Sequence, residues 1–273
     1  MRYTDSHNHT MSFSGDARMT PEELIAGAAN RGLRAIVITE HYEKDYPYHC
    51  ESNQIFDIDA YFEAFRGWKK NLPEDFSIYS GIELGYMAHL GPFFDELIAK
   101  YPFDSVILSD HLFHGKDPYY EPCYDVPKEE LYSAYLRELA DMIAACNQFD
   151  ILGHYDYIAR YATYDDPTMK YKDSPEAFDQ LFRALISKNK SLEINTRSIQ
   201  KYVLKGIHDC MPDKELLYQY KKLGGDRLTL GSDSHDTKTL GVLFDETAKH
   251  LRSCGFDELS TFIGRKEIRT SMC

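Results

Sequence analysis

A seven-stranded α/β barrel of the TIM type is the fold this sequence predicts, on three observations. Short β-branched or apolar runs alternate with amphipathic stretches of helical period along the whole length. Several of these runs are continuously apolar, as in a parallel sheet covered on both faces. Strict strand-then-helix order requires right-handed crossovers and a parallel sheet, closed or nearly so. The chain has 273 residues, and α/β barrels of about 250 residues fold as one unit, so a single domain over 1–273 is expected.

Taken in order, the first strand is expected at 2–6, and it runs straight into Asp5-Ser6-His7-Asn8-His9. A helix over 19–31 follows. It starts at Thr20-Pro21-Glu22-Glu23, with acid in the first turn, and stops at Gly32. The second strand, 34–39, ends in Thr39-Glu40-His41 and precedes a helix over 59–70. The third, 77–83, ends in Gly81-Ile82-Glu83 and precedes a helix over 92–100. The fourth, 104–109, ends in Ser109-Asp110-His111 before a helix over 127–147. The fifth, 150–153, ends in Gly153-His154 before a helix over 174–188. The sixth, 191–195, leads to a helix over 212–223 that Leu223-Gly224-Gly225 terminates. The seventh, 227–231, runs into Gly231-Ser232-Asp233-Ser234-His235, and a last helix is expected over 239–253.

Composition narrows the function classes. Hydrophobic residues make up 43% of the chain, ordinary for a globular protein with a sizeable core. MRYTDSHNH has no apolar core segment or cleavage site of a secretory signal, and the longest aliphatic stretch is Ala35 to Ile38, so a cytoplasmic protein without a membrane span is expected. The cysteines Cys50, Cys123, Cys146, Cys210, Cys254 and Cys273 form no C-x-x-C pair, which fits reduced thiols better than a zinc knuckle or disulfide framework. The net charge of −13, from 31 basic and 44 acidic residues, works against a nucleic-acid partner. It suits either a protein that holds several cations or a solubility requirement.

In a parallel barrel all strand C-termini face one rim, where such proteins place their chemistry, so groups from residue 7 to residue 235 should converge. In His7-x-His9 on an extended segment, the two side chains point to the same face and can grip one ion. Neutral imidazoles mixed with carboxylates suit Zn²⁺, Mn²⁺ or Fe, and a glutamate such as Glu83 can bridge two ions. Clustered cations lower the pKa of a shared water and clamp phosphoryl oxygens, the chemistry of hydrolysis. Singly, His41, His111 or His154 reads as an interior hydrogen-bonded histidine and Glu83 as a salt-bridge partner. Together at one rim, they would be several buried polar groups without partners, each costing kilocalories.

These strand-end motifs resemble those of the polymerase-and-histidinol-phosphatase (PHP) superfamily over essentially the whole chain. Tyr101-Pro102-Phe103-Asp104, the stretch from Gly153 to Tyr161, and Glu193-Ile194-Asn195-Thr196-Arg197 are similar to the stand-alone histidinol-phosphate phosphatases rather than the polymerase-attached domains. The resemblance implies a distorted (β/α)7 barrel with three divalent ions, Zn, Mn or Fe. It implies that His7, His9, Glu83 and Asp233 hold the first ion and Asp16, His41 and His235 the second, with Glu83 bridging to a third bound by His111 and His154. Asp16 lies in the loop Phe13-Ser14-Gly15-Asp16, where a plain turn residue is the competing reading. Asp110 departs from the apolar or small residue expected at its position.

The implied activity is hydrolysis of L-histidinol phosphate to L-histidinol and phosphate in histidine biosynthesis, with a small phosphate ester as partner and a monomer or homodimer as the assembly. Arg160 and Arg197, just past strands five and six, suit bidentate phosphate binding, with surface ion pairs as the competing reading, and with Asp233 they are the expected catalytic residues. Glu43, Tyr42, Tyr119 and Tyr161 are candidates by position for the amine and imidazole of such a substrate, with a structural role as the competing reading for each in a chain of 21 tyrosines. His114 is placed to reach substrate, while His49, His89, His208 and His250 are expected to be solvated or packed. The competing readings are a PHP-type phosphoesterase of another substrate (nucleotide, nucleic acid or phosphotyrosine) or a non-catalytic metal-binding barrel.

Overall fold

The computed structural model describes residues 3–48 and 55–272, so His49, Cys50, Cys273 and the start of the first expected strand lie outside the described residues. Seven parallel strands form one sheet in sequence order: β1 (Thr4–Asp5), β2 (Ala35–Tyr42), β3 (Ser77–Gly85), β4 (Ser105–Ser109), β5 (Ile151–Leu152), β6 (Ser191–Asn195) and β7 (Leu228–Gly231). All seven coincide with the predicted runs. Hydrogen bonds from Ser6 N to Leu230 O (3.0 Å) and from Asp233 N to His7 O (2.9 Å), with a parallel bridge between Asn8 and Ser234, join the last strand to the first. The sheet therefore closes into a barrel.

The helices wrap the outside: α1 (Pro21–Asn30), α2 (Ile58–Trp68), α3 (Gly91–Lys100), α4 (Lys128–Ala145), α5 (Pro175–Ser187), α6 (Thr196–Leu204), α7 (Lys214–Lys222) and α8 (Phe244–Ser253). Thr20 caps α1 in a full capping box with Glu23, as its sequence predicts. Two features were not anticipated. Helix α6 starts directly at the end of β6, where Asn195 is both the last strand residue and the cap, its side chain accepting from Arg197 N (3.0 Å). With no loop between strand and helix, the sequence offers no turn signal there.

The second is an antiparallel hairpin, β8 (Glu258–Ile263) and β9 (Lys266–Ser271), turning at Gly264 and Arg265 in positive φ. It lies across the N-terminal end of the barrel. Gly264 N and Arg265 N bond Asp104 Oδ1 and O, both at 2.9 Å, and Arg265 pairs with Asp150 at the start of β5. Phe262 packs on Ile107 and Ile151 of the barrel interior, apart from the larger core between sheet and helices. The barrel thus has an apolar floor at one end and a polar mouth at the other.

Candidate metal centre

The mouth is built by the C-termini of the strands. His7 and His9 follow β1, His41 is in β2, Glu83 in β3, His111 follows β4, His154 follows β5, and Asp233 and His235 follow β7. The pairing His41↔Glu83 sets two of these side by side. His7, His9, Glu83, His154 and Asp233 are almost completely buried.

Their donor atoms fall into three groups. Around the first, His7 Nε2 and His9 Nε2 lie 3.4 and 3.6 Å from Glu83 Oε2, and 4.0 and 3.5 Å from Asp233 Oδ1. In the second, Asp16 Oδ2 is 3.7 Å from His41 Nε2 and 2.9 Å from His235 Nε2, and the two imidazole nitrogens are 3.3 Å apart. In the third, Glu83 Oε1 is 3.4 Å from His111 Nε2 and 2.9 Å from His154 Nε2, which are themselves 3.2 Å apart. Ligands at 2.0–2.2 Å in tetrahedral array would be separated by about 3.3–3.6 Å. The two oxygens of Glu83 face different groups, as a bridging carboxylate would. His9 also stands with His41 and His235 as a possible ligand set, an overlap absent from the sequence-based grouping.

The electronic state suits the same reading. His7 Nε2 and His9 Nε2 are buried without a hydrogen-bond partner and converge on Glu83 Oε2, which also lies 2.7 Å from His41 Nδ1. Such orphaned atoms cost free energy unless an ion takes them up. Burial opposes ionisation of Glu83, yet His7, His41 and His111 hold it well below the usual carboxylate range. Burial likewise opposes Asp233, which Arg160, Arg197 and His7 keep ionised. His154 is pushed down to about 4 by burial and Arg160, so its ring is neutral and ready to ligate.

A second set of residues holds the first in place. Glu193, in the middle of β6 and fully buried, accepts from His7 Nδ1 (2.8 Å), His154 N (2.6 Å) and Asn195 Nδ2 (3.1 Å). A Cβ at Gly231 would overlap that carboxylate and His7, which is why β7 ends in glycine. Ser14 Oγ donates to Glu40 (2.6 Å), receives His41 N (3.0 Å) and lies 3.5 Å from His9 Nδ1. Asp5 accepts from Ser232 N and Oγ, at 2.9 and 2.5 Å, tying β1 to β7. Sequence reading singled out neither Asp5, Glu40 nor Ser14 for a role. The available signal was a carboxylate inside an otherwise buried strand, as at Glu193, which pairs with no neighbouring lysine or arginine in sequence.

The predicted arginines both meet Asp233. Arg160 is buried, its Nη1 donating to Asp233 Oδ2 (2.8 Å) and its Nε to Ser198 Oγ (2.8 Å), while Nη2 has no partner. Arg197, 29% exposed at the mouth, donates to Asp233 O (2.8 Å) and contacts His235 Nδ1. Asp233 itself has φ 51°, a left-handed conformation uncommon outside glycine and maintained here by these contacts. Asp110 is buried beside Glu138 and pushed up to about 7 by burial. Its Oδ1 accepts from Leu112 N (3.1 Å), which turns the chain after the strand.

Among the other candidates, Glu43 accepts from His111 Nδ1 (2.7 Å). Tyr42 is buried between Phe56 and Phe93. Tyr119 is exposed and packs edge-on against Tyr161, which in turn meets Tyr157 beside the His111 ring. His114 is exposed and paired with Glu138 (3.1 Å), His89 with Asp45 (3.0 Å), and His250 with Pro212 O (2.7 Å), while His208 is exposed. None of these four joins the cluster.

Fold and site together define a barrel that carries, at the C-terminal mouth of its strands, a cluster of histidines and carboxylates that could hold dications. The chain belongs to the PHP-domain family, whose profile matches residues 5–197. It is 31% identical to a histidinol-phosphatase of Lactococcus lactis subsp. lactis over 97% of this chain and 96% of that protein. It is 32% identical to a probable histidinol-phosphatase of Clostridium acetobutylicum over 92% and 93% of the two chains. A crystal structure of the Lactococcus lactis histidinol phosphate phosphatase, complexed with zinc, L-histidinol and phosphate, superposes with a TM-score of 0.80 at 30% identity, covering 98% of this chain and 99% of that one.

Proposed function

We propose that this chain is a metal-dependent phosphomonoesterase that hydrolyses L-histidinol phosphate to L-histidinol and phosphate in histidine biosynthesis. The observation that carries the reading is the full-length match to a relative crystallised with zinc, L-histidinol and phosphate, in a chain whose own ligand cluster has no gap. Residues 1–273 would form one barrel domain, since the hairpin that floors the barrel comes from the C-terminal segment.

In this reading three ions of Zn, Mn or Fe would be held: one by His7, His9, Glu83 and Asp233, one by Asp16, His41 and His235, and one by Glu83, His111 and His154. What dications supply there is Lewis acidity: a water nucleophile at neutral pH and charge neutralisation at the phosphoryl oxygens. The chain's own residues do the rest. Arg160 keeps Asp233 ionised and in position through Nη1, leaving buried Nη2 as a donor for a phosphate oxygen. Arg197 holds the same carboxylate from the solvent side and adds a second cation at the entrance. Glu193 fixes the tautomer of His7 so that Nε2 faces the centre. The unpaired thiols of Cys123, Cys146, Cys210 and Cys254 support a reducing, cytoplasmic location.

The test is phosphate release by metal-replete protein from histidinol phosphate beside nucleotides, aryl phosphates and short DNA. A strong preference for histidinol phosphate is expected. Equal turnover across the panel would refute the substrate, and a folded protein silent with every metal would favour a non-catalytic barrel.

A further inference from the structure

The first two groups of donors are steadied by residues drawn from several strands. In the group Glu83–His111–His154, Ser109 Oγ donates to Glu83 Oε1 (2.6 Å) and Glu193 takes His154 N (2.6 Å), while the ring of His111 is oriented by one side chain, Glu43. Glu43 lies two residues past His41, just beyond the last β2–β3 pair, Tyr42↔Leu84, so it stands across from Gly85. Its Oε1 receives His111 Nδ1 at 2.7 Å and stands farther, at 3.8 Å, from His41 Nδ1, leaving His111 Nε2 directed at Glu83 Oε1 and His154 Nε2. Gly85 is two residues past Glu83 on the same face of β3. A Cβ at Gly85 would collide with all three atoms of the Glu43 carboxyl group, a closer overlap than at any other glycine in the barrel. The second imidazole of the group, His154, has no such device: its Nδ1 is buried without a partner.

We infer that Glu43 is the positioning residue of the His111 ring, with Gly85 as the cradle that admits it: together they fix that ring so that Glu83, His111 and His154 retain their ion. The inference rests on reading the mouth as a metal centre. It reassigns Glu43, which the sequence placed as a candidate for the substrate's amine, to a role that acts through His111. Outer carboxylates of this kind raise the basicity of the imidazole and remove its rotational freedom, and their loss costs about 10- to 100-fold in metal affinity.

The experiment counts retained Zn²⁺ or Mn²⁺ by elemental mass spectrometry on the full chain, equilibrated against graded chelator. Variants are Glu43→Ala, Glu43→Gln and Gly85→Ala, with His111→Ala and His154→Ala marking loss of the pocket. Expected is a 10- to 100-fold weaker hold on one ion in Glu43→Ala and Gly85→Ala, with the remaining ions retained as in the unaltered chain. Glu43→Gln, which still accepts from His111 Nδ1, should fall between. A wild-type titration in Glu43→Ala, or equal weakening of every ion, overturns the inference. If His111→Ala and His154→Ala release no ion either, the reading of the pocket itself fails, a result distinct from both. Should Gly85→Ala not fold, the two Glu43 variants carry the decision.

Discussion

Loading the centre with metal should release about three protons at pH 7. In the metal-free chain, burial disfavours every charged imidazole, but local carboxylates overturn that at three of them. His7 is raised well above 6.5 by Glu193, Glu83 and Asp233, His111 by Glu43 and Glu83, and His41 to about 9 by Glu83 and Asp16. His9, His154 and His235 are lowered, by burial first and then by neighbouring cations, and are already neutral. Ligation requires the neutral ring, so three protons must leave. Between pH 7 and 9 the overall apparent binding constant should climb by up to about a thousandfold per pH unit, flattening as His41 passes its own pKa.

The same shifts set the sign of stability. A rise from 6.5 to about 9 at His41 corresponds to something on the order of 3 kcal/mol, present below pH 6.5 and lost as pH climbs through 9. Metal-free protein should therefore weaken across that window. The loaded form, whose imidazoles must stay unprotonated, should instead weaken as pH falls through 6.5. Titration calorimetry with Mn²⁺ in buffers of different ionisation enthalpy gives the proton count, and urea melts at pH 6, 7.5 and 9 give the slope. No proton release at pH 7, or metal-free stability rising with pH, would refute the charge assignment.

Three further outcomes follow from single contacts. Glu193→Ala leaves His7 Nδ1 and His154 N as buried donors without a partner, which costs about 1–3 kcal/mol for each, and it should lower metal affinity about 10- to 100-fold; chelator titration and urea unfolding measure the two effects separately. Arg160→Ala strips a buried partner from Asp233 and should cost about 3–5 kcal/mol in the metal-free protein, whereas the more exposed Arg197→Ala should cost about 1 kcal/mol or less; paired denaturant melts compare them. Phe262→Ala should remove about 3–5 kcal/mol of stability by opening the barrel floor, yet leave metal stoichiometry unchanged because the ligands sit at the opposite end.

The convergence of the candidate ligands was legible in the sequence because a parallel barrel converts chain order into position around a ring. Each strand neighbours the next, so acids and histidines at successive strand ends fall on one rim in order. Outer support was less legible because it depends on contacts through space. Glu43 reads as an acid in a loop, and only the Gly85 cradle shows what it serves. The hairpin carried a readable signal, alternating residues around Gly264-Arg265, but nothing local announces that its Phe262 belongs beneath the barrel. Strand six is the instructive case. It is the one strand whose end shows no histidine or acid in the run of motifs, which by pattern alone looks like a gap in the ring. The structure fills that gap with support rather than ligation: Glu193 from within the strand orients His7, Asn195 caps α6, and Arg197 on its first turn braces Asp233. A ring of candidate metal ligands around a barrel needs a sector of carboxylate and guanidinium to aim it, and β6 supplies that sector because its neighbours on both sides, His154 after β5 and Asp233 after β7, are the side chains being aimed.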